Sequence, residues 1–173
     1  MESVNIRKND RICKVKLDDD YTYLGNIGNL MLYAYMDDAT EILVRLLVES
    51  DTRSHTCVGL VDLLQDFDDV YSVGMVRIAK EYQGFNIAPR MYRMVMKKLG
   101  IAISTQNCQS PGGQSIWSRM FSRKDIQITA YRRGKRRPSK TYPVYFDETE
   151  GRLDGEQYTI WDGSNWELIA CLR

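Results

Sequence analysis

The sequence predicts an α/β domain: a mixed, largely antiparallel sheet flanked by helices, with a β-rich extension at its C-terminal end. Three observations carry this. Short segments of alternating or β-branched apolar residues recur along the 173-residue chain, separated by polar turns. One stretch, Val73 to Gly100, reads as strand, turn and helix in succession. The short apolar run Ile101–Ser104 directly after that helix completes a βαβ crossover, which places two parallel strands side by side.

Residues 1 to 38 carry the faintest pattern. Ile12, Lys14 and Lys16 alternate with Cys13, Val15 and Leu17, which predicts a strand ending at the acidic turn Asp18–Asp20. Three consecutive carboxylates point in different directions, so a solvated turn is favoured over a metal-binding cluster. Tyr21 to Asn29 contains two glycines and reads as a loop or a short helix, and Leu30 to Met36 as a strand. Glu41–Glu49 and Cys57–Leu64 are two apolar runs linked by the polar Ser50–His55, which predicts a long-looped antiparallel hairpin with His55 in the loop. Asp66–Val70 then forms an acidic corner. Its carboxylates either accept a proton from an attacking amine or serve as turn residues through local hydrogen bonds.

Val73 to Gly100 is the most informative stretch. From Val73 to Ala79 the period of two with β-branched residues predicts a strand. Gln83-Gly84-Phe85-Asn86-Ile87-Ala88 breaks it, because glycine permits positive φ and asparagine is the next most tolerant residue. Pro89 sits where a first-turn proline belongs and Gly100 where a C-terminal glycine belongs. Between them Ala88, Met91, Tyr92, Val95, Met96 and Leu99 share one helical face. A strand–turn–helix of this kind aims backbone N–H groups and the positive end of a helix dipole at one spot, which suits a phosphate or pyrophosphate. The alternative is an ordinary βα connection.

Downstream, Ser110-Pro111 predicts a second helix with Ser110 as its N-cap and an apolar stripe of Ile116, Trp117, Met120 and Phe121. Ile126–Tyr131 alternates as a strand, and Tyr142–Phe146, Gln157–Trp161 and Trp166–Ala170 read as closing strands. The last two flank the hairpin turn Asp162–Asn165. Arg132, Arg133, Lys135, Arg136, Arg137 and Lys140 put six cations into nine residues. They form either a solvated loop, with Asp147–Glu156 as an internal acidic partner, or a surface for nucleic acid or an acidic protein.

Formal net charge is +1, so no global imbalance points to nucleic acid. Cys13, Cys57, Cys108 and Cys171 are scattered without a CxxC pair, and His55 is the sole histidine, which argues against a disulfide framework and a zinc site. No apolar run reaches membrane-spanning length and Met1–Asn5 starts no signal-peptide core, so a cytoplasmic protein without membrane contact is expected.

Glu81-Tyr82-Gln83-Gly84-Phe85-Asn86-Ile87-Ala88 resembles the acyl-CoA-binding motif of the GNAT (Gcn5-related N-acetyltransferase) family. That motif is Gln or Arg, two residues, Gly, one residue, then Gly or Ala, after a strand and opening a helix. Gln83 matches its first position and Ala88 its last, while Asn86 replaces the middle glycine. Gln109–Trp117 resembles a segment of phage-encoded GNAT-like proteins. The resemblance implies a single GNAT-like domain over 1–173, with a variable part at 1–38, a core at 41–131, and a basic loop and C-terminal strands at 132–173. Two helices are usual in the family's N-terminal part; both are not visible here, so a differently built acceptor-side wall is expected.

The function implied is acetyl transfer from acetyl-CoA, as co-substrate, directly to an amine of a protein, small molecule or nucleobase. The backbone of Val76 and Ile78 would pair with the pantetheine, Gln83, Gly84, Phe85, Asn86, Ile87 and Ala88 would hold the pyrophosphate, and Ser110 stands where the family often has an arm-contacting Asn. Trp117 stands where a thiolate-protonating Tyr is common, and indole cannot act as that acid. Asp68 or Asp69 is the candidate base. Two other readings remain: a non-catalytic GNAT scaffold engaging a host protein, or a nucleic-acid modifier or binder acting through Arg132–Lys140. The chain is expected to be a monomer or homodimer.

Overall fold

The computed structural model describes residues 13–15, 17–37, 40–48, 55–105, 110–132, 146–147, 152–153 and 166–173. In chain order these form β1 (Cys13–Val15), β2 (Tyr21–Ile27), β3 (Leu30–Asp37), β4 (Glu41–Val48), β5 (His55–Phe67), β6 (Val70–Ile78), α1 (Ile87–Leu99), β7 (Ala102–Ser104), α2 (Pro111–Phe121), β8 (Ile126–Arg132), β9 (Phe146–Asp147), β10 (Arg152–Leu153) and β11 (Trp166–Leu172). Nine strands make one sheet in the order β2-β3-β4-β5-β6-β7-β11-β8, with β1 also paired to β5; β9 and β10 pair only with each other. Every contact in the large sheet is antiparallel except β6–β7. The expected mixed, largely antiparallel α/β architecture is therefore present, with two helices flanking the sheet among the described residues.

Alternation sets the two faces of the sheet. Ala34, Val44, Val61 and Val76 stand in one cross-strand row, and the first three are almost fully buried. This face carries the core, onto which α1 lays Met91, Tyr92, Val95 and Met96 and α2 lays Trp117 and Met120. Burying each such side chain contributes about 1.5–3 kcal/mol. α1 touches β6, β7 and β11 near one end of the sheet and β2 at the other, so the sheet wraps around the helix.

Two local expectations are corrected. Tyr21–Ile27 is a strand, not a loop or helix. A bulge between Tyr23 and Gly25 resets its phase, so Leu24 and Ile27, three apart, are both buried; that spacing imitates a helix in sequence. Gly25 has φ +137°, and a Cβ there would meet Met94 Sδ of α1 at 3.2 Å. His55 belongs to β5, opposite Val15 of β1, rather than to a loop. Residues 13–48, where described, hold four strands and no helix. Of the C-terminal strands, Trp166–Leu172 inserts between β7 and β8, whereas residues 133–145 and 154–165 lie outside the described residues.

Candidate functional site

The site begins where two parallel strands separate. β6 and β7 pair only at Val70–Ala102, Tyr71–Ile103 and Ser72–Ser104. Beyond this Thr105 is committed to β11: its N–H donates to Leu168 O at 2.9 Å and its hydroxyl accepts from Leu168 N–H at 3.0 Å. β6 stays with β5, and a register shift leaves Gly74 as an extra residue between Val73 and Met75. Ala79 N–H donates to Val58 O at 2.8 Å, which fixes the phase of the ladder. Given the register Gly59–Ile78 to Asp62–Met75, Arg77 and Met75 bond toward β5, while Val76 and Ile78 turn their N–H and C=O groups to the parted edge. Ile78 C=O is taken up by Gln83 Nε2 at 2.8 Å.

The chain leaves this edge through a 3-10 turn at Lys80–Tyr82 and enters α1 over a left-handed corner. Gly84 has φ +85° and Asn86 φ +58°. Asn86 is the N-cap residue of α1, yet its side chain makes no capping bond. Its Oδ1 instead accepts from Arg119 Nη1 of α2 at 3.2 Å. The N–H groups of Ile87 and Ala88 have no acceptor inside the helix, as in any first turn. α2 differs: Ser110 Oγ accepts from Gly113 N–H at 3.2 Å, so that helix is capped by its own sequence.

These pieces enclose one cleft of about 400 Å³. Val76, Ile78, Gln83, Gly84, Asn86, Ile87, Ala88 and Ser110, singled out in the sequence, all line it. Phe85 does not; it stands outward from the turn, 68% exposed. Asp68 and Asp69 occupy the tight β5–β6 hairpin turn, exposed, with Asp68 at φ +46°. They sit at the far end of β6, four or five residues and about 13–17 Å from where the strands part. Among the described residues no carboxylate lines the cleft. Trp117 is buried in the core at 1% exposure and also stays out of the cleft. Arg132 ends β8, and Arg133, Lys135, Arg136, Arg137 and Lys140 lie outside the described residues.

Sequence reasoning missed Tyr82, Pro89, Gly112, Gly113, Ser115, Ile116 and above all Arg119. A signal for some of them was present: Gly112, Ser115, Ile116 and Arg119 recur at helical spacing, a mostly small or polar stripe beside the Trp117–Met120 core stripe. Chemically the cleft offers a strand edge able to pair with an extended amide-bearing chain. That edge leads to a helix N-terminus without a side-chain cap and to one arginine, a combination suited to an anion.

No family model matches the chain, and no curated protein matches it. Two solved structures are similar to it, both described as acetyltransferases. One is an IAA acetyltransferase from Bacillus cereus, 11% identical, covering 78% of this chain and 79% of its own, with a TM-score of 0.40. The other is described as a GNAT-family acetyltransferase from Bacteroides thetaiotaomicron, 13% identical, covering 75% of this chain and 61% of its own, with a TM-score of 0.35.

Proposed function

We propose that this chain is an acyl-CoA-dependent N-acetyltransferase that passes an acetyl group from acetyl-CoA directly to an amine. The observation that carries the proposal is the continuity of the cleft: the open edge of β6 at Val76 and Ile78 runs into the uncapped start of α1, with Arg119 beside it. The donor set fits the co-substrate. Val76 and Ile78 offer main-chain donors and an acceptor of the kind that a pantetheine's amides need. Gly84, Asn86 and the first-turn N–H groups of α1 hold the pyrophosphate, and Arg119 adds the compensating charge. Acetyl-CoA supplies the acetyl group as an activated thioester. A main-chain N–H near the Gly74 bulge polarises its carbonyl in the manner of an oxyanion hole. Asp68 and Asp69 stand too far along β6 to serve as the base without intervening water. The phage relationship, a host cytoplasm and a protein acceptor belong to the same proposal and rest on the sequence resemblance.

The test is calorimetric titration with acetyl-CoA. Micromolar binding is expected, abolished by Gly84→Glu, which puts a carboxylate at the anion corner, and weakened about tenfold by Arg119→Ala. Absence of binding by the wild-type chain overturns the proposal. One observation favours a second reading, a binding protein on the same scaffold without catalysis: the position of the family's acid is a tryptophan sealed in the core. Binding of acetyl-CoA without turnover on any amine would select it.

A further inference from the structure

The sheet face opposite the helices carries a second, separate cluster. Tyr33, Arg45, Leu60 and Arg77 form one cross-strand row on β3, β4, β5 and β6. Arg45 is buried, 8% exposed, and its guanidinium lies over the ring of Tyr21 with Cζ 5.1 Å from the centroid. Tyr21, the ring under the cation, packs on Tyr35 at 5.5 Å, and Tyr33, the cross-strand neighbour of Arg45, packs on Tyr23 at 5.3 Å. Arg45 Nε is shielded from water and has no hydrogen-bond partner, and among the described residues no carboxylate pairs with the guanidinium. A guanidinium Nε so shielded is costly when left without a partner, and one tyrosine face offsets only part of that cost.

We infer that Arg45 with its tyrosines is a carboxylate site for the acceptor: the amine substrate carries a carboxylate several bonds from its nitrogen. A single guanidinium balances one negative charge and matches a carboxylate as a fork, and the rings beside it suit the apolar spacer of such a molecule. The position is apt. Arg45 is level with Arg77, between Val76 and Ile78, and two strand spacings, about 10 Å, from the β6 backbone. α1 and α2 occupy the other face, so where β6 and β7 part, an acceptor reaches the β6 edge from the Arg45 side. The position of the amine rests on the transferase reading; the carboxylate site does not.

The probe is 6-aminohexanoate, with 6-aminohexanamide as the neutral analogue of equal length. Calorimetry on the full chain without acetyl-CoA is expected to show the acid binding on the order of tenfold or more tighter than the amide. Arg45→Leu is expected to remove that preference and Arg45→Lys to keep part of it, with circular dichroism confirming that each variant is folded. Equal binding of acid and amide by the wild type overturns the inference and needs no variant; so does a preference that survives Arg45→Leu. Acetyl-CoA binding is titrated separately. An Arg45-dependent preference in a chain that does not bind acetyl-CoA would uphold the carboxylate site while overturning the transferase reading.

Discussion

Two short segments, Tyr21–Ile27 and Gln83–Ala88, look alike in sequence: each mixes glycine, asparagine and an aromatic residue near apolar positions. The first is a strand that takes one extra residue and continues in its sheet; the second ends one element and starts another. Glycine is needed in both, at φ +137° in one and +85° in the other. A residue type that releases φ says that the backbone departs from the ordinary, but not in which direction. In Gln83–Ala88 the direction is set locally, by Pro89 and a helical face that must begin there. In Tyr21–Ile27 it is set by β3 alongside and by Met94 of α1 above.

The comparison can be broken at its glycines. Gly25→Ala is expected to cost the most, about 2–3 kcal/mol in thermal unfolding, because an L residue rarely adopts that backbone. Adding Met94→Ala is expected to leave the loss in place; if it restored stability, crowding rather than backbone would be the cause. Gly84→Ala is expected to cost about 1 kcal/mol, since a Cβ there meets nothing within 4 Å. Its acetyl-CoA affinity should stay near wild type, unlike that of Gly84→Glu. Asn86→Gly gains backbone ease and loses an exposed bond to Arg119, so its stability is expected within about 0.5 kcal/mol of wild type. A large loss would show that the Arg119 contact holds the corner together.

The smallest effect lies at Asp125, just before β8, where it meets Arg93 from the middle of α1. Hydrogen bonds from Arg123, with a second contribution from Arg93 of α1, hold the Asp125 carboxyl well below the usual carboxylate range. A carboxyl with a depressed folded pKa adds stability above its unfolded value, near about pH 4, and loses it as pH falls toward the folded value. The melting-temperature gap between wild type and Asp125→Asn is therefore expected to be small near neutral pH and to close in acid. A gap that widened on acidification would contradict the assignment.

The strand–turn–helix of Val73–Gly100 was legible because each of its signals is local. Period two in the strand, Pro89 and Gly100 at the helix ends, and the Met91–Met96 face are all properties of neighbouring residues, and burial follows them closely. The Ser110 cap and the Trp117–Met120 stripe were legible for the same reason. The hairpin role of Asp68 and Asp69 was half legible: their residue types suit a turn, but nothing local tells which end of a strand faces a cleft.

What the sequence determined by itself was the set of elements with strong local periods, the capping of α2, and the gathering of Gln83–Ala88 into a corner before a helix. Tertiary structure alone decided the bulged course of β2, the withdrawal of Asn86 from its capping role by Arg119, and the burial of Arg45 against Tyr21. It also decided that β6 and β7 part after Ser72. Each of these depends on a partner distant in the chain, such as Arg119 33 residues beyond Asn86. A local pattern records the conformation a segment prefers; which distant group takes up its exposed hydrogen bonds and charge is fixed only when the sheet closes around α1.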